Sequence, residues 1–294
     1  MLTQKKNTIF NSLQIIKDSR NLDKVPFFSI LVRMKNEQKM LPYFLKSVMS
    51  QVTDYPYEII FMDSGSQDET INIINECNSD YLLYSINSDE FSFSKTCNFL
   101  VEKARAPYCI LLSAHIELIG NDFLQRLGDF ISNGLECGYF RQLVNHNNGY
   151  SLYDVLSLNK SFPNGDGYKI FTINDYKKLR FSNAGSFFKK ELAVDRPFPN
   201  VIASEDYLWA VSRLKEGVNI YYLPMLEIAH SHNESFESIT KRVRINKIAM
   251  FGDNILFKKI VLNFFGIFLM LSAAGCSIRK AFGYALAHAK GYWK

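Results

Sequence analysis

Motifs that define several common protein classes are missing from this sequence of 294 residues. The five cysteines are dispersed without a C-x-x-C pair, which argues against a disulfide framework or a zinc site and fits a reducing cytosol. The motifs G-x-G-x-x-G, G-x-x-x-x-G-K-[ST] and G-x-S-x-G are also missing, so dinucleotide, P-loop and serine-hydrolase sites are unsupported. Residues 1–23 are polar and contain no apolar core of signal-peptide length.

Acidic residues are scarce in the C-terminal part of the chain. Residues 240–294 contain ten Lys or Arg and one acid, Asp253, which gives +9, whereas the whole chain carries +5. Residues 1–239 therefore carry −4. A basic tail behind a mildly acidic body predicts an anionic partner. Because the tail has no nucleic-acid-binding motif, we expect a membrane surface and no nucleic acid.

The same tail contains nineteen residues without a charge, 260–278. A helix that spans a bilayer needs about 20 apolar residues, but several Asn, Gly and Ser dilute this stretch. Three interpretations stay open: a helix on or partly in the membrane surface, a spanning helix, and a helix buried against the main domain. Basic residues on both sides of the stretch favour contact with an anionic leaflet.

Apolar runs alternate with amphipathic segments over the first half of the chain. This alternation predicts an α/β protein with a parallel sheet and helices on both faces. A region without clear period follows, at residues 145–176, and is typical of a functional loop. The predicted strands are 27–32, 57–62, 81–86, 108–112 and 219–223, and the main predicted helices are 37–51, 94–104, 122–131, 205–216 and 236–250.

An acid and a tight turn follow the second predicted strand. Asp63 ends the apolar run, Gly65 supplies the turn, and Asp68 can cap the next helix. Open α/β sheets bind ligands at the carboxyl ends of their strands. Because an acid repels phosphate, this turn predicts the base or ribose end of a nucleotide pocket.

Two further candidates follow other strands of the predicted sheet. Residues 33–37 contain two cations and an amide, and they either contact a nucleotide or form a solvated loop in which Asn36 caps a helix. Residues 113–115, Ser-Ala-His, follow the fourth strand. His115 is either a surface or core residue whose hydrogen bonds are made within the protein, or it is a group that faces the ligand.

The second half of the chain offers acids and histidines. Glu205 and Asp206 open a predicted helix. Their charges either interact favourably with the helix dipole, or one acid is a general base that the adjacent Glu tunes or orients. His230 and His232 flank Ser231 in an extended segment, which points the two rings to opposite faces. We therefore expect one ring inward and one outward, since both can bind one metal only if the segment bends.

Taken in order, these segments resemble the family 2 glycosyltransferases with a GT-A fold, and in particular rhamnosyltransferase-like enzymes of bacterial capsule and O-antigen synthesis. The resemblance covers about residues 25–244. It implies a mostly parallel, Rossmann-like sheet in a catalytic domain at 25–239, with a donor half at 25–142 and an acceptor half at 143–239. An N-terminal extension (1–24) and a basic helical tail (240–294) flank this domain. The segments that carry the resemblance are 33–37, 63–70, 91–98, 181–184, 205–206 and 230–232.

The resemblance implies an inverting transfer from a dTDP- or UDP-sugar to a hydroxyl of a glycan acceptor. Together with the basic tail, it implies a lipid-linked acceptor and a peripheral or monotopic enzyme at the cytoplasmic face of the inner membrane. Asp206 would be the catalytic base, with Glu205 beside it. The implied donor-binding residues are Arg33, Asn36, Glu37, Asp63, Gly65, Ser66, Lys95, Asn98, Ser113 and Arg141.

One departure from the family pattern concerns the metal. Ser113, Ala114 and His115 stand where the family has Asp-x-Asp, and histidine shifts the preference from Mg²⁺ towards Mn²⁺ or a softer ion. His115 either binds Mn²⁺ together with His230, or hydrogen-bonds the diphosphate without a metal, or marks a degenerate site. The last interpretation gives the alternative function, a nucleotide-sugar-binding protein without turnover, against which the intact acid pair counts. A nucleotidyltransferase is disfavoured because no glycine-rich loop follows the first strand.

Overall fold

The structure is a computed structural model that describes residues 9–77, 79–251 and 257–293. For residues 249–251 it describes the backbone only. Residues 1–8 of the predicted extension, and residues 252–256 and 294 of the predicted tail, lie outside the described residues. The strands are β1 Gln14–Asp18, β2 Phe28–Met34, β3 Tyr57–Asp63, β4 Tyr81–Ser85, β5 Tyr108–Ser113, β6 Glu117–Leu118, β7 Cys137–Leu143, β8 Lys169–Phe171, β9 Gly185–Lys189 and β10 Ile220–Ala229. The helices are α1 Leu41–Met49, α2 Thr70–Asn75, α3 Phe93–Lys103, α4 Phe123–Ser132, α5 Leu152–Ser161, α6 Lys190–Asp195, α7 Glu205–Lys215, α8 Phe236–Phe251, α9 Phe257–Ala273 and α10 Ile278–Tyr292.

A single sheet joins these strands in the order β1-β4-β3-β2-β5-β9-β7-β10-β6, and β8 also pairs with β10. The four strands β4, β3, β2 and β5 are parallel, as the alternation predicts. β9 runs antiparallel to both β5 and β7, whereas β10 is parallel to β7. The sheet is therefore parallel at its centre in the first half of the chain, with β1 antiparallel at the edge beside β4, and mixed in the second half.

The central strands are apolar on both faces because helices cover both faces of the sheet. In β2, Leu31 points into one buried cluster, together with side chains of α3, α6 and α7. Its neighbours Ile30 and Val32 point into the other cluster, together with α1, α2 and α4. Side chains of successive residues in a strand alternate between faces, so one apolar run supplies two cores.

Several elements differ from the sequence prediction. The first helix begins at Leu41 instead of residue 37, because the chain after β2 forms a loop in which Asn36 has a φ of 54°. The segment 145–176 is not only loop but contains α5 and β8. β10 continues through Pro224 to Ala229, beyond the predicted end at residue 223. β1 and β9 were not predicted, and β1 places part of the N-terminal extension on the sheet edge beside β4.

The uncharged stretch of the tail is not one helix. α9 ends at Ala273, Gly275 adopts a φ of 83°, and α10 begins at Ile278. In the described ranges we find no helix that combines the length and the apolar character needed to cross a bilayer. The tail packs on the rest of the chain through a third buried cluster. This cluster contains Leu271 and Ala281 of the tail together with Tyr153 of α5.

Candidate active site

The turn after β3 is stabilised by Asp63 itself. This side chain is 2% exposed, and its carboxylate accepts from the N–H groups of Gly65 (3.0 Å) and Ser66 (3.1 Å). The hydroxyls of Ser66 and Ser85 donate to it as well. Gly65 has a φ of 76°, the conformation that the predicted turn requires. Asp63 therefore holds the turn in place, and its contact with a base stays a prediction.

The loop after β2 is bonded to this turn. The backbone N–H of Asn36 donates to the hydroxyl of Ser66 at 2.8 Å, and the Asn36 side-chain oxygen accepts from the N–H of Gln67 at 2.8 Å. The N–H of Glu37 donates to the hydroxyl of Thr70 at 2.7 Å. The side chain of Asn36 thus fastens two loops together, and the structure does not use it as a helix cap.

The predicted acid pair lies at the start of α7, after Ser204 in a left-handed conformation with a φ of 62°. Glu205 is 4% exposed and pairs with Arg33 of β2 at 3.3 Å. The side-chain amide of Asn183 also donates to Glu205, at 3.3 Å. Asp206 is less buried and accepts from the backbone N–H of Asn183 at 3.0 Å. Arg33 is thereby placed beside the acid pair.

The surroundings of Asp206 suit a proton acceptor. Burial, followed by repulsion from the Glu205 carboxylate, raises the pKa of Asp206 to about 6. A carboxyl group with such a pKa is ionised at neutral pH, but it is more basic than an exposed aspartate. General bases work best when their pKa lies close to the operating pH.

Three histidines meet at the carboxyl ends of β5 and β10. His115, His230 and His232 each offer one ring nitrogen, and these nitrogens lie within 4.8 Å of one another. The ring centroids of His230 and His232 are 4.5 Å apart. His230 is buried and His232 is exposed, as the expected inward and outward rings require, but the two rings do not lie on opposite faces, because both lie beside His115.

Hydrogen bonds on the outer nitrogens orient two of these rings. His115 donates from Nδ1 to the carboxylate of Glu37 at 2.8 Å, and His230 donates from Nδ1 to the oxygen of Gln142 at 2.9 Å. The Nε2 atoms of the two rings then face each other at 3.2 Å. Burial lowers the pKa of His230 well below its usual range, so this ring is neutral and its Nε2 carries a lone pair.

This arrangement fits a divalent metal ion. Neutral imidazoles that donate their other N–H to a carboxylate or an amide oxygen are the usual form of metal-binding histidine. A set of nitrogen ligands matches Mn²⁺ or a softer ion better than Mg²⁺, which prefers oxygen. Glu37 orients a histidine of this cluster, and its predicted place in the nucleotide pocket stays a prediction.

A cavity of about 890 Å³ extends from Asp206 to two of the three histidines. Asp206, Gln142, His230 and His232 lie in its wall. The Nε2 group of Gln142 is buried and has no hydrogen-bond partner among the described residues. Because such a group is costly to leave unpaired, the cavity offers a donor to a polar ligand. The opposite wall comes from α5 and the tail helices.

Other predicted donor-binding residues lie on elements beside this cavity. Lys95 is exposed on α3. The side-chain amide of Asn98 is engaged with the backbone of Phe198, donating to its oxygen at 3.0 Å and accepting from its N–H at 2.8 Å. Both polar atoms of Asn98 therefore hold a loop, and its predicted contact with the donor stays a prediction. The role of Lys95 stays a prediction.

Ser113 and Arg141 lie at or near the carboxyl ends of their strands. Ser113 ends β5, half-buried, two residues before the first histidine. Arg141 on β7 donates to the carboxylate of Glu227 on β10 and, at 3.3 Å, to the oxygen of Asn164. Its guanidinium is therefore held at the seam between two strands, and its contact with a diphosphate stays a prediction.

Three residues of the site were not assigned their role from the sequence. His232 joins the histidine cluster, Gln142 orients His230, and Asn183 bonds both carboxylates of the acid pair. The H-x-H pattern contained the signal for His232, but it did not show that both of its rings lie beside His115. Asn183 was part of a segment that carried the resemblance, although no role followed from it.

Solved glycosyltransferases share this α/β, GT-A-like architecture. The mannosyltransferase PcManGT from Pyrobaculum calidifontis, in complex with GDP-Man and Mn²⁺, superposes with a TM-score of 0.57 at 15% identity and covers 92% of this chain and 76% of its own. S. aureus TarS 1–349 in complex with UDP gives 0.55 at 14% identity, with 90% and 88% covered. At these identities the likeness concerns the fold.

Sequence comparison identifies the family. The model described as Glycosyl transferase family 2 matches residues 29–192, more than half of the chain, so the chain belongs to that family of glycosyltransferases. The O-antigen chain rhamnosyltransferase RfbN of Salmonella typhimurium (strain LT2) is 24% identical over 216 residues, covering 70% of this chain and 66% of that enzyme. The match thus spans just under two thirds of the relative. The predicted family is confirmed.

Proposed function

We propose that this enzyme transfers a sugar from a nucleotide-diphospho-sugar to a hydroxyl group of a glycan acceptor, with inversion at the anomeric carbon. The observation that carries the proposal is Asp206, a carboxylate of raised pKa in the wall of the cavity that also contains the histidine cluster. The relatives support the donor class, since TarS is in complex with UDP and PcManGT with GDP-Man. A dTDP- or UDP-sugar is the donor we favour, in line with the rhamnosyltransferase relative.

The reaction is a single in-line displacement. Asp206 accepts the proton of the acceptor hydroxyl while its oxygen forms a bond to the anomeric carbon. The bond from that carbon to the diphosphate breaks on the opposite face, which inverts the configuration. Asn183 holds Asp206 through its backbone N–H, and Glu205 stays paired with Arg33.

The leaving nucleoside diphosphate gains negative charge, which the site has to stabilise. We propose that His115, His230 and His232 hold a divalent cation, with Mn²⁺ preferred over Mg²⁺ and Glu37 and Gln142 orienting two of the rings. When bound, the ion supplies positive charge for the departing diphosphate. The nitrogen ligands and their outer hydrogen bonds support this assignment.

The base is tested by Asp206→Asn, which removes proton acceptance and keeps the shape of the side chain. We expect transfer to fall by about 10²–10⁴-fold while the thermal shift with UDP, dTDP, GDP or ADP stays as in the wild type. Asp195→Asn, at an exposed acid that ends α6, is the matched control and should transfer normally. Retained turnover in Asp206→Asn would refute the assignment.

The metal site is tested by binding of Mn²⁺ itself, followed by its paramagnetic resonance signal. Glu37→Gln should weaken Mn²⁺ about 10–100-fold, because outer partners orient the ligands, and His232→Ala should weaken it at least as much. His146→Ala is the control, since this ring lies outside the cluster. Equal Mn²⁺ affinity in all variants, with turnover undiminished in EDTA, would instead favour direct contact of His115 with the diphosphate.

We further propose that the enzyme works at the cytoplasmic face of the inner membrane on a lipid-linked acceptor. The outer face of α9 exposes Leu262, Phe265 and Leu269 by 61%, 53% and 61%. Lysines at its start and the basic residues Arg279 and Lys280 at the start of α10 accompany this stripe. Apolar residues with cationic neighbours are typical of helices that lie in an anionic interface.

A further inference from the structure

Lys247 on α8 is a buried cation that faces the cavity. Its side chain belongs to a residue that is only 7% exposed and lies in the same cavity wall as Asp206. The ammonium group donates to the backbone oxygen of Tyr292 at 3.3 Å. Within the described parts of the chain no carboxylate lies within ion-pair distance of it. A buried charge with so little compensation is costly, unless a ligand supplies the opposite charge.

The neighbourhood of Lys247 compensates its charge only partly. Tyr292 is the last residue of α10, so its carbonyl carries part of the negative end of the helix dipole. An ammonium group has three donors, and one carbonyl uses one of them. The others are available to an acceptor in the cavity.

The charge of the cavity as a whole is positive. Five cationic residues line it against three acids. Arg242 is balanced by Glu234 at 2.7 Å, and Asp154 is used in the capping box at the start of α5. Asp206 is the base. Cations therefore exceed acids by two, and the wall cations that pair with no carboxylate among the described residues are Lys177, Arg180, Lys247 and Lys259.

Lys247 is coupled to the catalytic end of the cavity through its neighbour in the chain. The side-chain oxygen of Asn246 accepts from the hydroxyl of Ser204 at 3.5 Å, and Ser204 precedes the acid pair. α8 thus packs against the start of α7. The histidine cluster lies at the ends of strands, so the cavity has neutral imidazoles on the sheet and a cationic wall on the tail helices.

We propose that the tail-side wall around Lys247 is a second anion site, and that it binds the phosphate ester of the acceptor. The proposal rests on the proposed function and names the chemical class of its acceptor: a glycan joined to its carrier through phosphate. Lysine suits this ligand, since it binds phosphate as a compact point charge. The phosphate would fix one end of the acceptor at α8, so that the hydroxyl reaches Asp206 across the cavity.

The probe is geranyl phosphate, titrated by calorimetry into the full chain with UDP at saturation, so that the donor site is filled. We expect saturable binding, no binding of geraniol, and at least a tenfold weaker affinity in Lys247→Met. Lys247→Arg should restore binding, and Lys241→Met is the matched control, at an exposed lysine of the same helix that pairs with Glu237. Equal affinity of wild type and Lys247→Met, or displacement of geranyl phosphate by UDP, would overturn the proposal.

Two further measurements are needed. One distinguishes failure of the proposed base from failure of the anion site, and the other distinguishes a lipid headgroup from the acceptor as the source of the phosphate. Asp206→Asn should bind geranyl phosphate normally while it loses transfer, so failure of the base and failure of the anion site are distinguishable. Binding to vesicles of phosphatidylcholine and phosphatidylglycerol should be unchanged in Lys247→Met. If vesicle binding falls instead, the site takes lipid headgroups, and the acceptor assignment is wrong.

Discussion

Glu205 and Asp206 are neighbours in the chain but lie in different surroundings. Glu205 is buried and forms an ion pair with Arg33, and this pair gives Glu205 a positioning role. Asp206 faces the cavity and is held by the N–H of Asn183, which leaves its carboxylate accessible to a substrate. Two adjacent acids thereby acquire different chemistry, because one is paired with a cation and the other is made more basic.

The pH dependence of transfer follows from this pair. The base that we propose has to be ionised, and burial together with the Glu205 charge raises the pKa of Asp206 to about 6. We expect kcat/KM to fall about tenfold per pH unit below this value. Glu205→Gln removes the repelling charge, so the acidic limb should move to lower pH. An acidic limb that stays in place in this variant would show that Glu205 does not tune the base.

The sequence predicted those residues of the site that lie at the end of a predicted strand or at the start of a predicted helix. Asp63, His115 and Asp206 all follow or open elements whose apolar patterns are clear. The position of the His232 ring was not predictable, because the alternation of a strand places it on the face opposite His230, whereas both rings lie beside His115. Pairings such as Glu37 with His115 join residues 78 positions apart, which local patterns do not report.

At the scale of elements, the strands that were predicted are those buried on both faces. β2 and β3 consist almost entirely of buried residues, which produces long apolar runs. β1 is an exposed edge strand, and β9 follows a segment without period, so neither stands out. The break between α9 and α10 was hidden because the uncharged stretch continues through Gly275.

Close packing of β7 against its neighbours gives a prediction for element stability. A Cβ on Gly138 would lie 2.4 Å from the backbone oxygen of Tyr221 and 2.6 Å from the ring of Phe187. Gly138→Ala should therefore lower the free energy of unfolding by about 1–3 kcal/mol in urea denaturation. Gly266→Ala in α9 is the control, since nothing lies within 4 Å of its Cβ, and it should be neutral or stabilising by up to about 1 kcal/mol. A neutral Gly138→Ala would contradict this packing.

At the scale of the whole molecule, the charge is separated between a basic tail and a mildly acidic body. The two faces of the tail helices have different surroundings. The inner face packs on α5 and forms part of the cavity wall, and the outer face exposes an apolar stripe. A membrane-bound tail would therefore hold the cavity at a fixed position relative to the lipid surface. This links the position of the enzyme to the acceptor that we propose.

The stripe on α9 gives the corresponding prediction. Leu262→Ser, Phe265→Ser and Leu269→Ser together remove apolar surface that is already exposed, so folding should be little affected. Partition onto vesicles of phosphatidylcholine and phosphatidylglycerol, measured by sedimentation, should fall on the order of tenfold or more, since each side chain contributes about 1 kcal/mol or more when buried in lipid.

The matched control changes three residues that are equally exposed but lie outside the tail: Leu22→Ser, Val25→Ser and Val52→Ser, at 66%, 80% and 68% exposure. This control should bind vesicles like the wild type. Raising the salt from about 0.05 to 0.5 M should weaken binding of the wild type, because screening removes the attraction between the basic tail and the anionic lipid. If the α9 variant binds as the wild type does, the apolar stripe does not contact the membrane, and the cavity would have to receive its acceptor from solution.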